Sequence, residues 1–419
     1  MPRLRFVHAA DLHLDSPFKG LRSEAPPNVA GRLVNATFEA YSAIIDLCLR
    51  EQVDAFLVAG DIYDGADRSL RAQLKFVEGL AKLDQAGIAS FICHGNHDPL
   101  DGWDARLGIP ERVHRFGREV EAVPLDPSDP ARGTVVGVSY PTRVVTENLA
   151  LKFGALPRQG FAIGLLHCNV GSNPEHEPYA PCTVDDLQQA GLDYWALGHV
   201  HTRQVLRTAM PTAVYPGNPQ GRHPNERGPR GVYLVEVDDT SGVHLEFRET
   251  SVVRWEAAGV DISSLETEQA LLDAADGAVS RLVDDANGRD LVLRLELTGR
   301  GELHGTVHRP NFATDLQEEL NRNWAGGSPF AWCERVELAT APPFDRAARL
   351  EGADFTGDLL RLIDSARSNP AMLQQLASEL DPLYGHARAG HLLRTRAPAP
   401  DEVAALLDDV ESLCLEVLQ

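Results

Sequence analysis

Short runs rich in β-branched and aromatic residues recur from Leu4 to about Val237, and nearly every run ends in a cluster of Gly, His or Asp. Longer stretches with helical periodicity, notably Asn35 to Gln52 and Ser69 to Ala86, lie between them. This alternation of strand and helix predicts an α/β sandwich. Ligands of open α/β sheets bind at the carboxyl ends of strands, so we expect the chemistry at that edge. The runs are RFVHAA, DAFLVAG, IASFICHG, TVVGVSY, FAIGLLH, DYWALGH and GVYLVEV.

Five polar clusters follow these runs and together contain the residue types of a metal site. They are Asp11-Leu12-His13, Gly60-Asp61-Ile62-Tyr63-Asp64, Gly95-Asn96-His97-Asp98, His167 and Gly198-His199-Val200-His201. Carboxylate, imidazole and amide oxygen ligands suit Mn²⁺, Fe²⁺ or Zn²⁺. In Asp-x-His and His-x-His, residues i and i+2 of an extended strand end project to the same side. One cluster alone fits a capped turn or a satisfied core histidine, but five at strand ends favour a metal centre.

The sequence pattern changes after Arg254, where predicted strand, helix, strand, helix and strand follow one another without His clusters. This order predicts a smaller α+β domain. Two proline-bearing breaks, at 341–344 and 397–400, frame a helical tail. The last segment of the tail carries apolar residues at helical spacing, namely Val403, Leu406, Leu407, Val410, Leu413 and Val417. We therefore expect three domains, at 1–255, 256–340 and 341–419.

The chain of 419 residues has a formal net charge of −22, which opposes indiscriminate adhesion to nucleic acid or anionic lipid. Any phosphate-binding surface must therefore be local. The six cysteines form no CxxC pair and no signal peptide precedes the first strand, which indicates free thiols in a reducing cytoplasm. Apolar runs are only strand-sized, so we do not expect an integral membrane protein.

The ordered set of clusters resembles the calcineurin-like metallophosphoesterase superfamily, whose members hold two metal ions bridged by one aspartate. Within it, HAADLHLDSPF, YAPCTVDDLQQAGLDYWALGHVHTR and VYPGNPQGRHPNERGPRGVYLVEV are similar to DNA repair exonucleases of the SbcD and YhaO type, most of all to YhaO. The resemblance is strong over roughly residues 1–255 and rests on domain order beyond them. It implies a four-layer α/β/β/α sandwich with the α+β unit as a DNA-facing cap.

The resemblance also implies a ligand set, position by position. One metal would lie on Asp11, His13, Asp61 and His201, and the second on Asp61, Asn96, His167 and His199. His97 matches the family's non-ligand histidine, which stabilises the phosphate or protonates the leaving 3′-oxygen, and Asp98 would hold its ring. One interpretation of Asp64 is that it orients the ligands of the first metal. A turn residue capping the next helix is an equally good interpretation, so Asp64 stays outside the catalytic set.

The segment Thr202 to Arg230 holds five Arg and one acid, Glu226, a local net charge of +4 in an acidic chain. Arginine forks suit phosphate oxygens, and the segment begins beside the expected ligand His201. We expect contacts with the DNA backbone from this segment, carried by Arg203, Arg222 and Arg227. The alternative is compositional, because the whole chain has only four Lys and Arg is its default cation.

The predicted function is a dimetal-dependent DNA exonuclease in DNA repair, which hydrolyses phosphodiesters with a metal-activated hydroxide. Mn²⁺ is the preferred ion, with Fe²⁺ or Zn²⁺ as alternatives. The resemblance implies an SbcC-like or YhaN-like ATPase partner bound through the C-terminal helices, and a homodimer. The alternatives are a phosphodiesterase acting on RNA ends or small nucleotides, since one dimetal core serves many substrates, and a non-catalytic scaffold subunit.

Overall fold

The computed structural model describes residues 4–18, 25–65, 69–102, 105, 107–171, 179–238, 242–343, 346–384 and 398–417. The chain divides into two compact units. The first is formed by Met1–Ala257, Val279–Arg294 and Leu320–Glu334, and the second by Ala258–Ala278, Leu295–Glu319 and Arg335–Gln419. The three domain boundaries expected from the sequence stay a prediction.

Two six-stranded sheets make up most of the first unit. Their strands are β1 (Leu4–Ala9), β2 (Ala55–Ala59), β3 (Ala89–Cys93), β4 (Val113–Arg115), β5 (Glu121–Pro124), β6 (Gly133–Gly137), β7 (Phe161–His167), β8 (Tyr194–Gly198), β9 (Gln204–Arg207), β10 (Thr212–Tyr215), β11 (Gly231–Asp238) and β12 (Gly242–Glu249). The strand orders are β12-β11-β1-β2-β3-β4 and β5-β6-β7-β8-β10-β9. Strands β1 to β4 are parallel, as are β6, β7, β8 and β10.

Helices cover the outer faces of both sheets. They are α1 (Pro27–Glu51), α2 (Leu70–Gln85) and α3 (Val184–Gln189), with 3₁₀ segments at Pro130–Arg132 and Leu149–Ala155. Side chains alternate along β2, so that Phe56 and Val58 pack with the core of α1 and α2, while Leu57 packs between the sheets. Phe153 and Trp195 pack together on the outer face of the second sheet. The predicted four-layer α/β/β/α sandwich is confirmed.

A third sheet follows, with the order β13-β14-β15. Its elements are β13 (Val253–Asp261), α4 (Glu268–Asp285), β14 (Asp290–Arg300), α5 (His304–Val307), α6 (Phe312–Trp324) and β15 (Ala331–Ala341). Within the first unit, Trp255 and Trp332 share an apolar core with the start of α1. Arg32 of α1 also donates to the Asp290 carboxylate over 2.7 Å. The alternation of strands and helices predicted after Arg254 is therefore present.

The C-terminal helices belong to the second unit. They are α7 (Arg346–Glu351), α8 (Phe355–Ser368), α9 (Pro370–Tyr384) and α10 (Pro400–Val417). Helix α10 contacts both α8 and α9, and Glu411 on it pairs with Arg346 over 2.8 Å. Val403 is buried, whereas Leu406, Val410 and Leu413 are exposed. Part of the apolar stripe predicted on this helix is therefore buried in the bundle, and part of it faces solvent. Leu407 is half-buried, and the side chain of Val417 lies outside the described residues.

Candidate metal centre

Strained backbone marks the loops that leave β1, β2 and β8. Asp11, His13, Asp61 and His199 all have positive φ, at 53°, 43°, 50° and 103°. Non-glycine residues avoid this region, at a cost of about 1–3 kcal/mol each, and persist there only where the surrounding structure holds them. Backbone bonds join the first two loops, from Asp11 N–H to the Gly60 carbonyl and from His13 N–H to the Asp61 carbonyl. Such clustered strain points to function.

One group of expected ligands, Asp11, His13 and His201, converges at the carboxyl edge, with ligand atoms within 4.8 Å of one another. The Nε2 atoms of His13 and His201 are 3.1 Å apart. His201 Nδ1–H donates a hydrogen bond to Glu226 Oε1 over 2.7 Å, which leaves a lone pair on Nε2 when the ring is neutral. His13 Nδ1 is buried without a hydrogen-bond partner, since Asp64 Oδ1 lies 3.8 Å away.

A second group consists of Asp11, Asp61 and His167, again within 4.8 Å. His167 Nδ1 lies 2.9 Å from the Ala59 carbonyl oxygen, which can only accept, so Nδ1 carries the proton. The unprotonated Nε2 then faces Asn96 Oδ1 at 3.0 Å and Asp61 Oδ2 at 3.4 Å. Three atoms that can each bind a metal ion therefore converge, His167 Nε2, Asn96 Oδ1 and Asp61 Oδ2.

His199 completes the expected ligand set at the end of β8. Its ring centroid lies 5.2 Å from that of His167, and its backbone N–H donates to both Asp11 carboxylate oxygens, over 3.0 and 3.2 Å. The side chain is half-buried. The structure thus brings all seven expected ligand residues to one edge of the sandwich, while their roles as ligands stay a prediction.

Glycines make room for His167 at this edge. A Cβ on Gly60 would lie 2.4 Å from His167 Nδ1, and one on Gly95 would lie 2.3 Å from Asp61 Oδ1. A Cβ on Gly198 would lie 1.8 Å from the Ala59 carbonyl oxygen, the acceptor for His167. Real Cβ contacts do not come so close, so these three positions require glycine.

The charge balance of the centre suits a divalent cation. Burial and the nearby charge of Asp61 raise the pKa of Asp11 well above its usual range, and burial and the charge of Asp98 raise the pKa of Asp61 to about 7. Burial lowers the pKa of His167 to about 4 and, with the charge of Arg222, lowers that of His13. A cation among these atoms would lower the pKa of both carboxylates and would lower the pKa of both imidazoles further, because it favours ionised carboxylates and neutral imidazoles. The donor set therefore fits the two metal ions that the resemblance implies.

His97 lies beside the centre and is held by Asp64. Its Nδ1 is 2.8 Å from Asp64 Oδ1, and this hydrogen bond raises the pKa of His97. Asp98 was expected at this place, but its carboxylate accepts the N–H groups of Gly95 and Ile62 and contacts His94 Nδ1 at 3.1 Å. The ring of His97 is therefore held by Asp64 and not by Asp98. Asp98 instead orders the loop through its backbone contacts.

The three expected substrate arginines lie in different surroundings. Arg222 is buried, and its guanidinium donates to Ser16 Oγ over 2.5 Å and to Asp64 Oδ2 over 3.3 Å. Arg203 is exposed and stacks over the Phe247 ring at 3.8 Å. Arg227 is exposed as well. The expected phosphate contacts stay a prediction, and Arg203 and Arg227 are better placed for them than Arg222.

The structure adds two carboxylates to the set of site residues expected from the sequence, Asp64 and Glu226. The helix after Asp64 is capped by Ser69, so the capping role that competed for Asp64 is absent. Burial raises the pKa of Glu226, but the hydrogen bond from His201 and the charges of His201 and Arg222 outweigh it and lower the pKa to about 2. The one signal for Glu226 was its place as the single acid in the arginine segment.

Buried carboxylates, imidazoles and an amide oxygen on the edge of a double-sheet sandwich define a metal-dependent hydrolase. Residues 4–203 match the family model described as calcineurin-like phosphoesterase, and residues 255–341 match that of the middle domain of metallophosphoesterase YhaO. Metallophosphoesterase YhaO of Bacillus subtilis is 38% identical over 368 residues, 86% of this chain and 87% of the relative. The chain therefore belongs to the calcineurin-like metallophosphoesterases.

Two further relatives carry names that state an activity or a process. A component of the nuclease SbcCD from Bacillus subtilis is 23% identical and aligns over 61% of this chain and 73% of the relative. The DNA double-strand break repair protein Mre11 of Methanopyrus kandleri is 28% identical, over 60% of this chain and 61% of the relative. The chain is thus related to nucleases and DNA repair proteins. Within the described ranges, no helix combines the length and apolarity needed to cross a bilayer.

The substitution Asp61→Asn tests the centre. We expect it to abolish hydrolysis and the thermal stabilisation by added Mn²⁺, because Asp61 is the proposed bridge between the ions. The metal-free variant should melt at the same temperature as the wild type or higher, since one of several buried like charges is gone. Thermal melts with and without Mn²⁺, and metal analysis, measure both effects.

The matched control is Asp54→Asn, at the amino end of β2, where the carboxylate accepts the Arg5 N–H over 2.8 Å. It should lose stability but keep the Mn²⁺ response. Two bound ions in Asp61→Asn would contradict the proposed centre.

Proposed function

We propose that the protein is a dimetal-dependent DNA exonuclease that acts in DNA repair in the cytoplasm. The observation that carries this proposal is the joint placement of seven ligand-type residues and His97 at one sheet edge. The names of the SbcCD and Mre11 relatives support nuclease activity and repair. The described cysteines are free, five of them buried, which agrees with a reducing compartment.

Each residue at the edge has a proposed part in phosphodiester hydrolysis. Asp11, His13, Asp61 and His201 would hold one divalent ion, and Asp61, Asn96, His167 and His199 the other. When bound, two such ions lower the pKa of a water molecule and neutralise the phosphate oxygens; Mn²⁺ is the proposed ion, because the donors are oxygen and nitrogen. His97 then donates a hydrogen bond or a proton to the leaving oxygen, and Asp64 fixes the direction in which its ring points.

DNA is the proposed substrate. Because the chain is acidic overall, the surface that binds DNA would be a local one. Arg203 is exposed and lies two residues after the proposed ligand His201. Its guanidinium is therefore available to a DNA phosphate that binds near the metal centre. Stacking on Phe247 restricts the guanidinium and lowers the entropy lost on binding. Arg227 adds a second exposed cation in the same segment.

The direct test is incubation of the purified chain and Mn²⁺ with end-labelled single- and double-stranded DNA, beside a small chromogenic diester. We expect release of nucleotides from DNA ends, and none from Asp61→Asn or after chelation. Cleavage of the small diester alone would instead favour a phosphodiesterase for small nucleotides. Inactivity on both, with metal bound, would favour a scaffold subunit.

The substitution His97→Ala separates metal binding from chemistry. We expect turnover to fall by about 10²- to 10⁴-fold, because general acid help is worth that much, while the Mn²⁺ content persists. A suitable control is His114→Ala, since His114 is equally exposed, at 33% against 32%, and also faces a carboxylate, that of Glu121. Its turnover should match the wild type. Loss of metal from His97→Ala would make His97 a ligand.

We also propose that α10 docks an ATPase partner of the SbcC or YhaN kind. Leu406, Val410 and Leu413 recur at spacings of four and three residues, which places them on one helix face, and they are 40%, 43% and 61% exposed. Such a face suits a coiled coil, which offers apolar side chains along a groove. The rest of α10 packs on α8 and α9, so the helix can bind a partner without leaving its bundle.

The docking proposal is tested by Leu406→Glu and Leu413→Glu. We expect both to abolish co-purification with the ATPase and to spare hydrolysis of a simple substrate. Val403→Glu is the contrast, because Val403 is 3% exposed and its change should unfold the bundle. Undiminished co-purification of both exposed-face variants would contradict docking through α10.

A homodimer is proposed through α1 and α2. These helices contact each other, and Val34, Leu70 and Leu74 on them are 62%, 52% and 49% exposed. Apolar side chains on neighbouring helices are a common basis of self-association.

A further inference from the structure

The segment that follows β10 holds His201 by its backbone and by its ring. Asn218 N–H donates to the His201 carbonyl over 3.3 Å, and the Arg230 guanidinium donates to the same oxygen. Gly217 has φ 78°, and a Cβ there would lie 2.5 Å from that carbonyl. On the ring, Glu226 Oε1 lies 2.7 Å from Nδ1. The segment expected to bind DNA thus also supports a proposed metal ligand.

We propose that Glu226 is a positioning residue, which fixes the tautomer and ring orientation of His201 so that Nε2 presents its lone pair to the metal. This inference rests on the proposed ligation by His201. A carboxylate can only accept, so Nδ1 carries the proton, and in the neutral ring Nε2 then carries none. Hydrogen bonds of this kind also make the opposite nitrogen a better donor to metal.

A carboxylate is required here because the side chain has two donors to satisfy. Glu226 Oε2 accepts the Arg222 backbone N–H over 2.6 Å, while Oε1 faces His201. A glutamine has one oxygen for these two positions. Its NH₂ group would either oppose the Arg222 N–H or donate to His201 Nδ1, which moves the ring proton to Nε2 and against the metal.

The same contact connects the two sides of the centre. Arg222, whose N–H Glu226 accepts, places its guanidinium on Asp64 and Ser16, and Asp64 holds His97. The Glu226 side chain is 14% exposed, and among the described residues His201 supplies the one imidazole that it contacts. His201 is therefore the proposed ligand through which we expect Glu226 to affect metal binding.

The test is Mn²⁺ affinity, measured by calorimetric titration of metal-free protein without substrate. We expect Glu226→Gln to weaken Mn²⁺ binding by about 10- to 100-fold, as changes behind metal-binding histidines do. The matched control is Glu249→Gln, because Glu249 is also 14% exposed and its two oxygens accept Arg254 over 2.6 Å each. This control should lose stability in thermal melts and keep its Mn²⁺ affinity.

A double-mutant cycle with His201→Ala identifies the route. If Glu226 acts through His201, Glu226→Gln should cost no further affinity once His201 is alanine. An equal loss in both backgrounds, or unchanged affinity in Glu226→Gln alone, would overturn the inference. Unchanged affinity in His201→Ala would instead refute the ligand assignment and with it the proposed centre.

A second variant covers the case in which Glu226→Gln does not fold. Glu226→Asp keeps two acceptor oxygens on a side chain shorter by one methylene, so it cannot reach both His201 and Arg222. We expect its Mn²⁺ affinity to fall below that of the wild type. Wild-type affinity in this variant would equally overturn the inference.

Discussion

The carboxylates of Asp11 and Asp61 are buried beside each other, and the metal centre is organised around their repulsion. Neither residue is more than 2% exposed, so water cannot screen the two charges. The backbone is left-handed at both, which adds conformational strain. A chain keeps such an arrangement only where the surrounding structure holds it. Here the neighbouring parallel strands β1 and β2 and the backbone bonds between their loops do so, and a bound cation would convert the repulsion into attraction.

The convergence of the proposed ligands was predictable because each lies at the end of a strand or in the loop after it. Alternation along a strand assigns side chains to one core or another, and parallel strands end at one edge, so residues distant in sequence had to meet there. The reason why glycine is needed at three of these positions was less evident from the sequence. Gly60, Gly95 and Gly198 were recognisable as turn residues, but the space that they leave for His167 and Asp61 depends on contacts between the two sheets. Such long-range contacts cannot be inferred from spacing.

Asp98 and Asp64 show the limit of predictions from local sequence patterns. Asp98 adjoins His97 in the chain, yet its side chain turns back to bind the N–H groups of its own loop and of Ile62. Asp64, 33 residues before His97, takes the ring instead, because β2 and β3 are neighbours in the first sheet. Sequence proximity favoured the wrong acid because the Asp98 carboxylate is taken up by these backbone N–H groups in the loop after β3.

Charge connects the metal centre with the proposed substrate. Residues 251–419 hold 15 Arg, no Lys and 29 acids, and several described arginines are paired with carboxylates, among them Arg254, Arg294 and Arg346. An acidic surface repels a polyanion. Attraction of phosphate would therefore depend on Arg203, Arg227 and the charge of bound metal. If bound metal contacts the DNA phosphate, binding of metal would strengthen binding of DNA, and binding of DNA would strengthen binding of metal by the same factor. In the proposed enzyme, nucleic-acid binding would therefore be stronger with metal bound than without it.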